Sequence, residues 1–233
     1  MSDAPMEVLS ALHDDALDAA LSRRFMTATE EVEVGDLTWT LLKPANADHL
    51  ISEADYVLDE RLPYWADLWP SARVLAATLL REDGRGRTLL EMGCGLGLPS
   101  IAAMQAGFDV TSTDYYDDAL HVTRGNAKRN LGREPDVRLV NWRAWPDDIG
   151  QFDVIIAADV LYEKEYATLI AECLAKSLKP GGVAFIADPG RLALPQFRVR
   201  IAELGLEFGE KTVQKYEMGV VKQEIQVMRV GWS

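Results

Sequence analysis

The sequence has few of the residues that build disulfides and metal sites. Its 233 residues include two cysteines, Cys94 and Cys173, which lie far apart without the spacing of a disulfide framework or a zinc site. The three histidines, at positions 13, 49 and 121, are scattered and form no cluster with ligand spacing. We therefore expect a protein of a reducing compartment that holds no metal.

We also expect neither a leader nor a membrane-spanning helix. Residues 1–7 have neither the basic start nor the apolar stretch of a signal peptide. The longest uncharged run, residues 92–108, is interrupted by four glycines and one proline, whereas a spanning helix needs about 20 consecutive apolar residues. We expect a cytoplasmic protein without a membrane partner.

Positive charge is scarce as well. The chain has 24 lysines and arginines against 37 aspartates and glutamates, which gives a formal net charge of −13. Nucleic-acid-binding surfaces draw most of their affinity from lysine and arginine, so this balance argues against a nucleic-acid partner. Hydrophobic residues make up 48% of the chain, enough for a buried core.

Two patterns of apolar residues divide the chain. Residues 7–26 have a helical period, and residues 32–41 alternate around a Gly35-Asp36 turn, so we predict an N-terminal cap over residues 1–60. From residue 87 onward, apolar runs alternate with helical stretches, as in a parallel sheet of βαβ units. Two alternating stretches around residues 217–219 predict an antiparallel hairpin at the C-terminal end.

A glycine-rich loop follows the first predicted strand. Glu91-x-Gly93-x-Gly95-x-Gly97 precedes a helix, and Asp114 ends the next strand, where an acidic side chain can bind the two hydroxyls of a ribose. The dinucleotide pattern GxGxxG requires a glycine at position 98 or 100, but leucine and serine stand there. No lysine or arginine occurs in residues 88–123. A pyrophosphate would therefore meet several acids with no cationic side chain to offset them, although a helix N-terminus alone can bind phosphate, whereas S-adenosylmethionine, a cation without phosphate, suits the loop.

Two further segments accompany this loop. Asp159-Val-Leu-Tyr162 follows the fourth predicted strand, and residues 62–71 contain Tyr64, Trp65 and Trp69 together with two prolines. The Trp69-Pro70 pair, the glycine loop, Asp114 and Asp159-x-x-Tyr162 together resemble the family 16 seven-β-strand S-adenosylmethionine-dependent methyltransferases, most of which methylate protein lysines. Within it, residues 63–70 and 188–191 look most like the electron-transfer-flavoprotein β-subunit lysine methyltransferases and their bacterial relatives.

The resemblance implies a fold and a set of roles. The fold is α/β, a doubly wound Rossmann-like sheet of seven strands, mostly parallel with an antiparallel C-terminal hairpin, and the methyltransferase domain spans residues 61–233. Asp159 would orient the acceptor amine and Tyr162 would shape its channel. Nine residues would contact or support the cofactor: Trp69, Glu91, Gly93, Cys94, Gly95, Asp114, Tyr115, Trp142 and Ala158. Separately from the resemblance, the placement of acidic residues at strand ends leads us to expect Asp188 at a strand end on the substrate side.

The implied activity is transfer of a methyl group from S-adenosylmethionine to the ε-amine of a lysine. The partner would be a protein with an accessible lysine, such as the electron transfer flavoprotein β subunit, and we expect the enzyme to be a monomer. Alternatives are a small-molecule N-methyltransferase, a non-catalytic module that binds S-adenosylmethionine, and an NAD(P)-dependent oxidoreductase. The glycine spacing disfavours the last of these.

Overall fold

A computed structural model describes residues 15–50 and 63–233. The predicted start of the first helix at residue 7 and the predicted boundary at residue 60 lie outside the described residues. The described helices are α1 (Asp15–Arg24), α2 (Pro70–Leu79), α3 (Leu98–Gln105), α4 (Asp117–Leu131), α5 (Tyr166–Ser177) and α6 (Leu194–Glu203). The strands are β1 (Thr27–Val34), β2 (Leu37–Pro44), β3 (Thr88–Met92), β4 (Asp109–Asp114), β5 (Asp136–Leu139), β6 (Phe152–Ala158), β7 (Leu178–Asp188), β8 (Leu206–Met218) and β9 (Val221–Trp232).

Seven of these strands form one sheet in the order β5-β4-β3-β6-β7-β9-β8. The first five in this order pair in parallel, and β9 runs antiparallel to both β7 and β8. The chain leaves β3 toward one edge through β4 and β5, then returns to the other side of β3 through β6. Ligands of such sheets bind at this reversal, outside the carboxyl ends of the strands. The predicted fold class is confirmed.

Helices cover both faces of the sheet because its central strands are apolar on both sides. In β6, Ile155 and Ala157 pack in one buried cluster with α5 and α6, whereas Val154 and Ile156 pack in another with α2 and α3. This alternation follows from the period of two along a strand. The rigid core holds the carboxyl ends of β3, β4 and β6 next to one another.

The N-terminal hairpin β1–β2 packs against this core. Its inward side chains Val32, Val34, Trp39 and Leu41 lie in the same buried cluster as α2 and α3. Two asparagines one turn apart on α4, Asn126 and Asn130, hydrogen-bond the backbone of β2. The side-chain oxygen of Asn126 accepts the amide of Leu42, and its side-chain nitrogen donates to the carbonyl of Leu42. Asn130 makes the same two hydrogen bonds with Thr40. Side chains of a helix thus take the place of a neighbouring strand.

The part of the chain that the structure describes contains no helix with the length and apolarity needed to cross a membrane. Cys94 and Cys173 are both buried and unbridged. Burial raises the pKa of the Cys94 thiol well above its ordinary value and that of Cys173 to about 12, so both stay protonated and unreactive near neutral pH.

Candidate active site

The glycine loop between β3 and α3 folds back onto β4. The amides of Gly93 and Cys94 both donate to the carbonyl of Thr113, each at 2.9 Å, and the amide of Gly97 donates to the carbonyl of Cys94 at 2.8 Å. Gly93, Gly95 and Gly97 have φ angles of +74°, +52° and +81°, a region that side chains with a Cβ rarely adopt. The sequence must place glycine at these positions for the loop to turn.

The same glycines let other segments approach the loop closely. A Cβ at Gly93 would lie 3.3 Å from the Trp142 ring, and one at Gly95 would lie 3.1 Å from the carbonyl oxygen of Trp65. A Cβ at Gly97 would come within 2.8 Å of the Thr123 side chain. The loop therefore needs glycine for space as well as for conformation.

Asp114 ends β4 beside the loop and is buried. Its carboxylate accepts hydrogen bonds from the amide of Gly95 at 2.9 Å and from that of Tyr116 at 3.1 Å. Burial raises the pKa of this carboxyl, and the backbone donors oppose that effect. Each oxygen has a remaining lone pair, so the group can still accept hydrogen bonds from a ligand hydroxyl.

Glu91 lies beneath the loop and is 1% exposed. Its carboxyl accepts a hydrogen bond from the Ser100 hydroxyl, which lies 2.5 Å from the Ser112 hydroxyl. Burial, reinforced by the nearby charge of Asp114, raises the pKa of Glu91 to about 8. At pH 7 without a ligand, Glu91 is therefore mostly protonated, and it can ionise when a cation binds above it.

A single cavity lies at the carboxyl ends of β3, β4, β5 and β6. It encloses about 1170 Å³, including the space open to solvent. The structure brings all of the predicted site residues together on its wall: Trp69, Glu91, Gly93, Cys94, Gly95, Asp114, Tyr115, Trp142, Ala158, Asp159 and Tyr162. Their individual roles stay predictions.

Tyr115 and Trp142 lie at the end of the cavity near β5. Tyr115 follows Asp114 and is 41% exposed, and its ring lies 5.3 Å from that of Tyr116 in an edge-to-face arrangement. Trp142 begins a short 3₁₀ helix after β5, where the side chain of Asn141 accepts a hydrogen bond from the Arg143 amide. Flat side chains at this position fit a planar base.

Asp159 follows β6 at the opposite end of the cavity and has a φ of +60°. Among the described residues it is the one non-glycine residue with positive φ. Such strain costs about 1–3 kcal/mol and is concentrated at functional sites. Its carboxylate accepts hydrogen bonds from Arg191 Nε at 2.7 Å and from the Ser71 hydroxyl at 3.1 Å.

An aromatic wall joins Asp159 to the segment before α2; we define it as Tyr64, Trp69, Tyr162 and Tyr166, and the ring of Trp142 continues it toward β5. Neighbouring rings in this wall have centroids 5.0–5.9 Å apart with edge-to-face geometry. The indole of Trp69 donates to the carbonyl of Tyr64 at 2.8 Å. Burial, reinforced by the charge and hydrogen bond of Tyr166, raises the pKa of Tyr162 far above its ordinary value, so it remains a neutral phenol.

Charge on the cavity wall is mostly negative. Asp67 and Glu163 line it in addition to the predicted acids. Among the described lining residues, Arg143 is the one basic side chain, and it pairs with Glu165. The described residues contain no group of three or more His, Cys, Asp or Glu side chains able to hold a metal ion. The wall thus favours a cationic ligand.

Asp188 ends β7 as expected, but the expectation that it faces the substrate is wrong. Its side chain is fully buried behind the cavity, and one carboxyl oxygen accepts the amides of Gly190 and Arg191 at 2.7 and 2.8 Å. Asp188 therefore shapes the turn after β7 and does not face a substrate. Sequence reasoning also missed the two residues that hydrogen-bond Asp159, which are Ser71 and Arg191. Each is remote in sequence, and the conspicuous Asp-Pro-Gly-Arg run was the available signal.

Known proteins resemble the chain in sequence. A model of the family described as methyltransferase domain matches residues 61–222. The electron transfer flavoprotein beta subunit lysine methyltransferase of Xenopus laevis is 32% identical over 133 residues, which cover 55% of this chain and 53% of that protein. The ribosomal protein L11 methyltransferase of Burkholderia mallei is 31% identical over 159 residues, which cover 66% and 48%. The chain spans about half the length of the curated relatives it matches.

Solved structures show the same fold. The magnesium protoporphyrin IX methyltransferase of Synechocystis, crystallised with bound S-adenosylmethionine, has a TM-score of 0.56 at 19% identity and covers 79% of this chain and 94% of that one. The ribosomal protein L11 methylase of Lactobacillus delbrueckii has a TM-score of 0.56 at 23% identity, with coverage of 72% and 81%. The family match covers well over half of the chain, and the predicted family is confirmed: the chain belongs to the methyltransferase-domain family.

Proposed function

We propose that this protein transfers a methyl group from S-adenosylmethionine to the ε-amine of a lysine in a protein substrate. The observation that carries the proposal is the composition of the cavity at the carboxyl ends of β3, β4, β5 and β6. At one end it has a glycine loop with nearby acids and without a free basic side chain among the described lining residues, and at the other a wall of aromatic rings packed edge-to-face. The first suits a cationic donor, and the second suits an amine that must lose its charge.

The loop and Asp114 fit the donor. The glycines leave the backbone of the loop on the cavity wall, where a ligand can lie against it. Asp114 would accept the ribose hydroxyls, and the rings of Tyr115 and Trp142 would flank the adenine. When bound, S-adenosylmethionine supplies a methyl group on a sulfonium, and the electrons of the broken carbon–sulfur bond stay on sulfur. Glu91, ionised by the arriving positive charge, would then stabilise the complex.

The aromatic wall prepares the acceptor. Lysine has an ordinary pKa of about 10.4 and must lose a proton before nitrogen can attack a methyl carbon. Tyr64, Trp69 and Tyr162 exclude water, which disfavours the ammonium form and lets the proton leave to solvent. The wall also fixes the direction of approach, since methyl transfer requires nitrogen, carbon and sulfur in line. Both Asp159 oxygens are already held by protein hydrogen bonds, so the role proposed for Asp159 is to orient the amine.

Two observations support a protein as the acceptor. The relatives at about 31–32% identity are named for methylation of the electron transfer flavoprotein β subunit and of ribosomal protein L11. Asp67 and Glu163 also make the cavity acidic on the side of Tyr64 and Tyr162, which attracts a basic segment around a target lysine. The flavoprotein β subunit, a monomeric state and a cytoplasmic location stay predictions.

The proposal is tested first on the donor. Thermal shifts with S-adenosylmethionine, S-adenosylhomocysteine, NAD and ATP should show stabilisation by the first two alone, because a ligand that binds the folded state must stabilise it. Stabilisation by NAD instead would favour an oxidoreductase. Absence of any shift would overturn the proposal.

The acceptor is tested by transfer of a labelled methyl group. Purified electron transfer flavoprotein β subunit, purified L11 and a cell lysate are incubated with labelled donor, and mass spectrometry locates the label. We expect methylated lysine in a protein; label confined to small molecules would show a metabolite N-methyltransferase. If Asp159→Asn and Tyr162→Phe both keep wild-type rates with unchanged donor affinity, the assignment of the acceptor end is wrong.

A further inference from the structure

Arg191 lies outside the cavity wall but joins two parts of it. Its Nε donates to Asp159 at 2.7 Å, and its guanidinium carbon lies 5.5 Å from the centre of the Trp69 ring. Asp159 follows β6, Trp69 precedes α2 and Arg191 follows β7, so one side chain connects three segments. The Arg191 side chain is about one-third exposed, whereas that of Asp159 is 3% exposed.

The charge of Asp159 is thus already compensated without a substrate. Its second oxygen accepts the hydroxyl of Ser71 at 3.1 Å, so both oxygens of the carboxylate are occupied. Burial, reinforced by Asp159, raises the pKa of the nearby Asp188, and the amides of Arg191 and Gly190 oppose this effect. The carboxylate of Asp159 and the guanidinium of Arg191 therefore form an ion pair whose two charges offset each other.

This arrangement bears on an amine that must be neutral to react. A free carboxylate at the end of the acceptor channel would hold lysine as the ammonium ion and oppose loss of its proton. An Asp159 paired with Arg191 keeps its position and its contact with Ser71, yet exerts little field on the channel. The rings of Trp69, Tyr64 and Tyr162 can then bind the uncharged amine.

Resting on the proposed function, we propose that Arg191 is a positioning residue that neutralises Asp159, so that this carboxylate exerts little negative field on the acceptor amine, while Asp67 and Glu163 still attract a basic segment. It also holds Trp69 in the aromatic wall by stacking on its ring. Arg191 itself does not touch the acceptor. Its effect on the reaction passes through Asp159 and Trp69.

The test compares two donor analogues that differ at the reacting position. Sinefungin carries a primary amine where the donor carries its methyl-bearing sulfonium, whereas S-adenosylhomocysteine has a neutral sulfur there. The ratio of their dissociation constants, measured by calorimetry at pH 7, reports the field that the cavity exerts on an amine. A structural defect weakens both analogues together and leaves the ratio unchanged.

Four variants have distinct expected results. Arg191→Met exposes the charge of Asp159, and the ratio should move about tenfold in favour of sinefungin. Arg191→Lys keeps the cation and should stay within about threefold of wild type. Asp159→Asn leaves Arg191 uncompensated and should move the ratio in the opposite direction. In Arg191→Met with Asp159→Asn, the ratio should return close to the wild-type value.

Arg191→Met also predicts a kinetic change once an acceptor is known. Its kcat should fall most at pH 7 and recover toward pH 9.5, because more of the acceptor is then deprotonated, while KM changes little. Equal weakening of both analogues in Arg191→Met and Asp159→Asn would overturn the role of Arg191. Failure of the wild-type protein to bind either analogue would instead overturn the proposed function.

Discussion

The side of the cavity proposed for the donor is built from backbone, whereas the side proposed for the acceptor is built from side chains. On the donor side, which comprises residues 91–97 and Asp114, positive φ angles and amide hydrogen bonds fix the surface. The acceptor side comprises residues 64–71, residues 159–166 and Arg191. There the surface is fixed by aromatic rings and by one ion pair. A backbone surface suits a ligand that never varies, whereas a side-chain surface can change with the acceptor and leave the fold intact.

The largest effect is expected from Gly97→Ala on the donor side. The new methyl group would meet Thr123 at 2.8 Å in a backbone with φ of +81°. We expect a loss of about 2–4 kcal/mol in the free energy of unfolding, measured with urea. Gly150→Ala is the control, because φ there is +86° but nothing lies within 4 Å, so strain alone costs about 1–2 kcal/mol. Equal losses would show that the close approach to Thr123 is unimportant.

The second effect is a dependence of stability on pH that comes from Glu91. Folding raises the pKa of Glu91 from about 4.5 to about 8, so its stabilising contribution is complete below pH 4.5 and is lost as the pH rises through 8. Between pH 6 and pH 9, the ligand-free wild type should lose about 2–3 kcal/mol more than Glu91→Gln. Glu210→Gln, at an exposed site on β8, is the control and should follow the wild type. If the free energy of unfolding changes with pH in the same way for wild type and Glu91→Gln, Glu91 is not the source of the pH dependence.

The third effect concerns affinity for the donor. An asparagine at position 114 can accept at only one atom, so Asp114→Asn should lose one of the hydrogen bonds to Gly95 and Tyr116 and weaken S-adenosylhomocysteine binding. The expected factor is about 10–100, as for hydrogen bonds to a charged group. Asp109→Asn, exposed at the other end of β4, should have no effect on binding. Calorimetry measures both, and unchanged affinity in Asp114→Asn would remove Asp114 from the donor site.

The smallest effect is expected on the acceptor side at Tyr64. Its ring packs edge-to-face on Tyr162 and on Trp69, while its exposed fraction is 38%. Tyr64→Ala should lower kcat/KM for the acceptor by about 3–10-fold, since an aromatic pair contributes about 0.5–1.5 kcal/mol. Tyr64→Phe keeps the ring and should change the rate less than twofold. If Tyr64→Ala weakens donor binding by as large a factor as it lowers kcat/KM, the two sides of the cavity do not act separately.

The contrast between a backbone surface and a side-chain surface also explains which parts of the site could be predicted from the sequence. The glycine loop and Asp114 are predictable because φ, spacing and strand ends are local properties that a run of residues carries by itself. The parallel sheet is predictable for the same reason, since each βαβ unit is continuous in the chain. The acceptor side depends on partners far apart in sequence: Ser71 lies 88 residues from Asp159, and Arg191 lies 32 residues from it.

Asp188 shows most clearly what could not be predicted from the sequence. At a strand end in an acidic protein, it has the same local setting as Asp159, and the two are equivalent by pattern. In three dimensions Asp188 turns inward onto the amides of its own loop, while Asp159 lines the cavity. Burial and hydrogen bonding distinguish the two acids, and neither property follows from their neighbours in sequence.

Asn126 links the N-terminal hairpin to the glycine loop by hydrogen bonds. Its amide nitrogen donates to the carbonyl of Leu42 in β2 and also to that of Leu96 in the glycine loop, both at 3.0 Å. The two segments therefore cannot open independently without breaking a fully buried hydrogen bond. In hydrogen exchange, the amides of Thr40 and Leu42 should belong to the same cooperative unit as the loop, and donor binding should slow their exchange although they lie outside the cavity.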